Sequence, residues 1–194
     1  LTSISKNGYK IILANLREIT NITWKIDGIE EVLTGIDKEI LKNKEKFIGI
    51  FEDAEILVER CPNFKTLNLD TINVVDLTPL SKLGTLEKLC TIGLNFGQCN
   101  MGNTFITLGL TLHELQLKLI DDVNICVIIK HCVSLEVLSI LNCEFSSEKI
   151  TNVPNSPHFH SLRKLSLFSN RRDAWYVSNI KYYKNLNFFK NRHS

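Results

Sequence analysis

The chain has 194 residues, is 44% hydrophobic and carries a formal net charge of +2, with its acids and bases interleaved. That is enough apolar material for one core or a stack of small ones. The charge balance argues against a nucleic-acid surface, and without a run of about 18 apolar residues there is no transmembrane helix to expect.

Taken in chain order, the first candidate strand is ITNITW from Ile19. Ile29, Val32, Leu33, Ile36 and Ile40 then fall on one helical stripe, and Phe47, Phe51, Ala54 and Val58 on another. Pro62 after Cys61 marks a helix end, because proline disfavours helical backbone in the residue before it. From there a phrase of the form L-x-x-L-x-L recurs: FKTLNL from Phe64, LCTIGL from Leu89, LHELQL from Leu112, LEVLSI from Leu135 and LRKLSL from Leu162. The starts lie 23 to 27 residues apart, a period that signals a stacked repeat architecture.

The phrase reads as a short strand, since its fourth and sixth residues are two apart and point to one face. Stacked parallel strands need crossovers of about a dozen residues or more, usually helical. Thr78 and Pro79 predict a helix start, with Thr78 as N-cap, Pro79 in the first turn and Gly84 past the end. Asp122 to Cys132 carries Val123, Val127, Ile128 and Cys132 near helical spacing. Pro154 and Pro157 predict a loop with only a short helix before the last clear copy, and a frayed further copy begins at Leu186 in LNFFKN. ITNITW lies 45 residues before Phe64, about two periods, so a degenerate repeat belongs between them, although no strand is evident there. The expected architecture is an α/β solenoid: an open arc with parallel strands on its concave face and helices or loops on its convex face. It forms one domain over 1–194, clearest over 61–170, degenerate and helix-rich over 1–60, with a terminal repeat or cap over 171–194.

If positions four and six face the core, positions three, five and seven face the concave side. That assigns Thr66, Asn68 and Asp70; Glu114, Gln116 and Lys118; Val137, Ser139 and Leu141; and Lys164, Ser166 and Phe168 to a partner-binding surface. The copy near residue 90 can start at Leu86 (LEKLCT) or Leu89 (LCTIGL), and the choice inverts its faces. Leu89 is preferred because Ile92, Leu94 and Phe96 alternate cleanly, which adds Thr91, Gly93 and Asn95 to the surface. Val137, Leu141 and Phe168 then form an exposed apolar patch, a feature that marks partner sites.

Chemistry-bearing patterns are weak. No P-loop, G-x-G-x-x-G, H-E-x-x-H, G-x-S-x-G or C-x-x-C string occurs, so the expectation is a non-enzymatic protein without cofactor or metal. His158 and His160 are too few for a zinc site, which takes about four ligands. Cys126, His131 and Cys132 read as packing, and Asp121-Asp122 as a helix start. Asn21-Ile22-Thr23 is a formal glycosylation sequon, discounted because Ile22 falls in or near a strand. Arg171, Arg172, Trp175, Tyr176, Tyr182 and Tyr183 mix basic and aromatic residues as nucleic-acid surfaces do, but read more simply as a terminal helix packing its rings on the last repeat. Of the six cysteines, Cys61 and Cys132 each stand three residues ahead of a repeat, a column rather than pairs, so reduced thiols and a cytoplasmic or nuclear setting are expected.

CPNFKTLNL from Cys61 and HCVSLEVLSILNC from His131 resemble the cysteine-containing leucine-rich repeat: a helix ending in Cys, a turn, the strand, then Asn or Cys. Cys143 and Asn170 stand eight residues after Leu135 and Leu162, at that Asn or Cys position, whereas Ile72, Gly97 and Ile120 occupy it in the other copies. Such repeats are typical of F-box substrate receptors of SCF-type ubiquitin ligases. The resemblance implies a protein partner to be ubiquitinated, and adaptor and cullin contacts through an F-box that would precede the repeats. No F-box is visible here and the first residue is Leu1, so a longer parent chain is expected. A leucine-rich-repeat scaffold or sensor with no ubiquitin link is the alternative.

Overall fold

The computed structural model describes residues 20–24, 29–50, 53–70, 76–146, 161–168 and 187–188. Its frame is one sheet of eight strands, all parallel, each paired with the next in sequence. The strands are β1 (Asn21–Trp24), β2 (Lys46–Gly49), β3 (Thr66–Asp70), β4 (Lys88–Ile92), β5 (Glu114–Lys118), β6 (Val137–Leu141), β7 (Lys164–Phe168) and β8 (Asn187–Phe188). Between them run α1 (Ile29–Gly35), α2 (Lys38–Leu41), α3 (Ala54–Arg60), a 3₁₀ helix (Thr78–Lys82), α4 (Met101–Leu108) and α5 (Ile125–His131). The molecule is thus an α/β stack of strand–crossover units.

Register fixes the numbering of every unit. Leu67, Leu89, Leu115, Leu138 and Leu165 are successive partners across the sheet, so each is position four of its unit. The copy near residue 90 therefore starts at Leu86, and the reading from Leu89 is overturned: Leu89 takes position four and Thr91 position six, both fully buried. The clean alternation of Ile92, Leu94 and Phe96 misled, because the strand stops at Ile92 and Gly93 turns with φ 75°.

The unplaced second unit also emerges. Lys46 pairs with Thr66 and Phe47 with Leu67, so position one is Lys44 and position four is Phe47. Phe47 belongs to a strand and not to the helical stripe proposed for it; of that stripe Ala54 and Val58 are helical and buried, and Phe51 lies outside the described residues. The first stripe is broken at Ile36 and Asp37 into α1 and α2. β1 matches the predicted first strand, while β8 pairs Asn187 with Lys164, which puts its unit one residue earlier than Leu186 implies.

The crossovers are held by side-chain caps. Asp37 Oδ1 accepts from the Glu39 amide, Asp53 Oδ1 from those of Glu55 and Ile56, and the Asn124 side chain from that of Val127, each satisfying N–H groups that a helix start leaves open. Thr78 is the first residue of the 3₁₀ helix and not its N-cap, which is Leu77; Asp76 Oδ1 accepts from the Thr78 amide at 2.8 Å. Asn124 takes the capping role expected of Asp121 and Asp122. Cys61 and Cys132 are the C-caps of α3 and α5, fully buried and repeat-equivalent as expected; between them the same place holds Leu83 and Gly109. Gly109 is required there, since a Cβ would land on the His131 carbonyl. Burial pushes the Cys61 and Cys132 thiols up to about 12, which leaves them protonated and poorly nucleophilic.

Backbone bonds tie the units together at both strand ends. On the entry side, the amides of Lys65, Glu87, His113, Glu136 and Arg163 each donate to the preceding unit's carbonyl, at 2.7 to 2.9 Å. These position-two residues run Glu45, Lys65, Glu87, His113, Glu136 and Arg163 up the stack, with ion pairs Lys65–Glu45 and Arg163–Glu136 and with His113 Nδ1 3.7 Å from Glu136 Oε1. On the exit side, position eight is left-handed in three successive units: Gly93, Leu119 and Asn142, with φ of 75°, 54° and 52°. Each of the three donates its amide to the last strand residue of the next unit. The following position is filled by buried Leu94, Ile120 and Cys143, so Leu94, not Gly97, is the counterpart of Cys143. Asn170 and Ile72 lie outside the described residues, as do Pro154 and Pro157.

Candidate docking face

Positions four and six of the strands join the helices in one continuous core, including Leu67, Leu115, Leu138 and Ile140 from the sheet and Leu57, Phe105 and Ile128 from α3, α4 and α5. Pleating sends positions three, five and seven to the opposite side. No described helix packs there.

Most of the expected surface is where the repeat placed it. Thr66, Asn68, Glu114, Gln116, Lys118, Val137, Ser139, Leu141, Ser166 and Phe168 lie half-buried on this face, and Lys164 is exposed. Asp70 occupies position seven of β3, although its side chain is outside the described residues. Thr91 and Asn95 do not belong. Thr91 points into the core with 0% exposure, its hydroxyl without a hydrogen-bond partner among the described residues. Asn95 lies beyond β4, bridging to Asp121, with its side-chain oxygen accepting from the Gln98 amide at 3.0 Å. Both errors follow from the inverted register.

The residues that take those positions are Lys88, Cys90 and Ile92, of which Cys90 is buried, and the recovered second unit adds Lys46 and Ile48. The signal for the first set was the Leu86 reading; for the second, only the spacing that demanded a missing repeat. With β4 corrected, Ile92, Lys118, Leu141 and Phe168 become direct neighbours along position seven of four consecutive strands. Position three carries Lys46, Lys88, Glu114, Val137 and Lys164, and position five is mostly uncharged polar, with Asn68, Gln116, Ser139 and Ser166. The face therefore has a mostly charged margin, a hydrogen-bonding centre and a margin whose apolar residues Ile92, Leu141 and Phe168 are joined by Lys118 and by Asp70 in β3. Val137, Leu141 and Phe168 are half-buried, and the large exposed apolar side chains lie elsewhere: Val32, Ile106, Leu110, Leu119 and Val133.

Charge on this face is unevenly paired. Lys88 Nζ sits 2.7 Å from Glu114 Oε1 in the neighbouring strand, an exposed pair contributing ~0–1 kcal/mol. Lys46, Lys118 and Lys164 have no ion pair among the described residues. Off the face, Lys38, Lys65 and Lys82 are each paired with a glutamate. Glu45 and the nearby Glu87 hold the Lys65 ammonium above its ordinary range.

The other sequence candidates that fall among the described residues do not assemble. Cys126 and His131 sit on α5, Cys132 is the buried cap, and burial with the neighbouring Lys130 lowers the His131 pKa. Among the described residues no three His, Cys, Asp or Glu side chains group as a metal site would require, and no helix is long and apolar enough to cross a membrane. All six cysteines are free thiols. His158, His160, Arg171, Arg172, Trp175, Tyr176, Tyr182 and Tyr183 lie outside the described residues. No family model matches the chain, and no curated protein matches it.

Proposed function

We infer that this chain is a non-enzymatic protein-recognition module that docks a partner on the face of its sheet opposite the described helices. The observation that carries the reading is the unbroken register from β2 to β7, which lines up position three, five and seven side chains as one continuous surface. Stacked-repeat proteins use such extended surfaces for binding. Phe168 is the anchor, because aromatic side chains contribute disproportionately at interfaces. Partner affinity should fall with Phe168→Ala while the melting profile holds. Leu165→Ala, one face over, should instead destabilise the fold by ~2–5 kcal/mol. Unchanged affinity in a folded Phe168→Ala variant would remove the anchor.

The finer reading is a leucine-rich-repeat arc of the F-box type, the substrate-recognition part of a ubiquitin-ligase receptor working in the cytoplasm or nucleus. It is supported by the helix-terminal cysteines Cys61 and Cys132 directly ahead of their strand phrases, and by free thiols throughout. Co-purification of the full-length protein with the ligase adaptor and cullin tests it, and clean failure returns the chain to the alternative, a leucine-rich-repeat scaffold or sensor without a ubiquitin link.

A further inference from the structure

Taking that docking face as given, the charge and apolar pattern along it specifies what it takes. We propose that the partner presents an acidic amphipathic helix, laid across the strands, with apolar side chains on Ile92, Leu141 and Phe168 and carboxylates at Lys118 and Lys164.

Complementarity of charge is the first argument. Glu114 is already engaged by Lys88, whereas Lys118 and Lys164 carry no ion pair among the described residues. Asp70 stands at the β3 end of row seven, beside Ile92, and from β4 to β7 the free charge among the described side chains is cationic. Over those strands a basic segment would have to displace Lys88 from Glu114 to find an anion.

Spacing is the second. Adjacent strands lie about 4.8 Å apart, close to the 5.4 Å rise of one helical turn. A helix running across the strands therefore offers about one side chain per strand along a row. The position-seven row reads apolar, basic, apolar, apolar at Ile92, Lys118, Leu141 and Phe168. Its complement is a helix with apolar residues at successive turns and an acid at the second. The span from position three to position seven is four residues, about 13 Å of strand, which matches the ~10–12 Å width of a helix with its side chains. Lys164, in row three beside Val137, meets the helix on its other flank. A nucleic-acid strand would satisfy the lysines but would leave Ile92 and Leu141 against its phosphates.

The test is a display selection on the full chain with helix-forming peptides. Leucine is fixed at turn-spaced positions, and the intervening turn varies among Asp/Glu, Lys/Arg and Ser/Gln. Selected peptides are then measured by fluorescence anisotropy. Acidic peptides should be enriched, with affinity falling at least about tenfold on Lys118→Glu and on Phe168→Ala and weakening as salt is raised. A lysine-bearing version of the same peptide should regain affinity for the Lys118→Glu chain, an exchange that a merely structural role of Lys118 does not produce. Lys130→Glu on α5 is the control and should change nothing. Enrichment of neutral or basic peptides that still need Phe168 would overturn the acidic chemistry and leave the docking face standing. Peptides indifferent to both Phe168 and Lys118 would overturn the docking face itself. Failure to enrich any peptide, or lysine-dependent binding of a single-stranded oligonucleotide indifferent to Phe168, would overturn the proposal.

Discussion

In the unit that carries β6, positions one, four and six are Leu135, Leu138 and Ile140, all buried; in the unit that carries β2 the same positions hold Lys44, Phe47 and Gly49, buried as well. The frame is shared, down to the position-two amide that links each unit to the one before. The filling is not. In the β2 unit a large ring at position four stands beside a glycine at position six, and the Phe47 and Phe64 rings lie 6.1 Å apart between neighbouring units. Lys44 has 0% exposure, and its ammonium donates to Asn43 Oδ1 at 2.8 Å. A stack of this kind holds its backbone ladder constant and tolerates different volumes at its core positions. It does not hold the leucines constant, and a reader of leucines misses the unit without them.

The largest effect should come from forcing one unit to imitate the other. Leu135→Lys gives the β6 unit the β2 unit's leading residue without Asn43 to accept from its ammonium. The lost leucine packing costs ~2–5 kcal/mol, and an uncompensated buried ammonium adds several more. Urea titration followed by circular dichroism should show the central stack unfolded, or its midpoint moved by the equivalent of ~4 kcal/mol or more. A fold that absorbed the change with less than ~1 kcal/mol lost would mean that position one is not a core position at all.

The reverse exchange, Lys44→Met, should stabilise. Methionine keeps an unbranched stem and removes a charge whose burial is costly, against the loss of the hydrogen bond to Asn43, so the expected gain is about 1 kcal/mol. Burial holds the Lys44 ammonium below its usual 10.5, opposed by the nearby Cys61. A lysine depressed in the folded state is bound to its proton more often when unfolded, so native stability rises with pH between the folded value and 10.5. The advantage of Lys44→Met is therefore full at neutral pH and shrinks as pH climbs toward 10.5. A gain that stayed flat over that range would show that the ammonium is solvated in the folded chain.

A smaller effect separates the exit turns. Gly93 and Asn142 suit the left-handed backbone of position eight, and Leu119 does not. A side chain like leucine's pays roughly 1–2 kcal/mol there, and Leu119 is 49% exposed, so little packing compensates. Leu119→Asn should raise stability by ~1 kcal/mol, read as a melting temperature about 2–4 °C higher. No change would mean that Leu119 makes contacts its exposure does not suggest.

How much of this was legible follows the same line. Four strands were readable because Leu67, Leu115, Leu138 and Leu165 repeat with partners two residues on. The thiol column was readable because Cys61 and Cys132 precede their phrases at one spacing. β2 was hidden because Lys44 replaces the leading leucine and Gly49 the trailing one, which leaves Phe47 alone to signal a strand and open to capture by a helical stripe. Hydrophobic periodicity sees only side chains that advertise the core, whereas register is set by backbone pairing. The assignment of residues to a sheet face inherited these limits: it matches the register wherever the strand was correctly framed, and it fails at Thr91 and Asn95, where the frame slipped by three residues.

Thr91 gives that slip a direct test. In the observed register its side chain is fully buried at position six, where the flanking strands have Leu69 and Leu117, and its hydroxyl finds no partner among the described residues. A buried unsatisfied hydroxyl costs ~1–3 kcal/mol, and valine offers the same branched shape without it. Thr91→Val should therefore stabilise by about 1 kcal/mol in urea titration. On the rejected register Thr91 would stand on the solvent side of the sheet, where such substitutions stay within about ±0.5 kcal/mol. Ile92→Ser distinguishes the registers from the other side. Because Ile92 is half-buried, the substitution should cost about 1 kcal/mol or less if Ile92 lies on the face opposite the core, and ~2 kcal/mol or more if Ile92 is core. A neutral Thr91→Val together with the larger cost for Ile92→Ser would reverse the faces of β4, and with them Ile92's place beside Lys118 in the docking row.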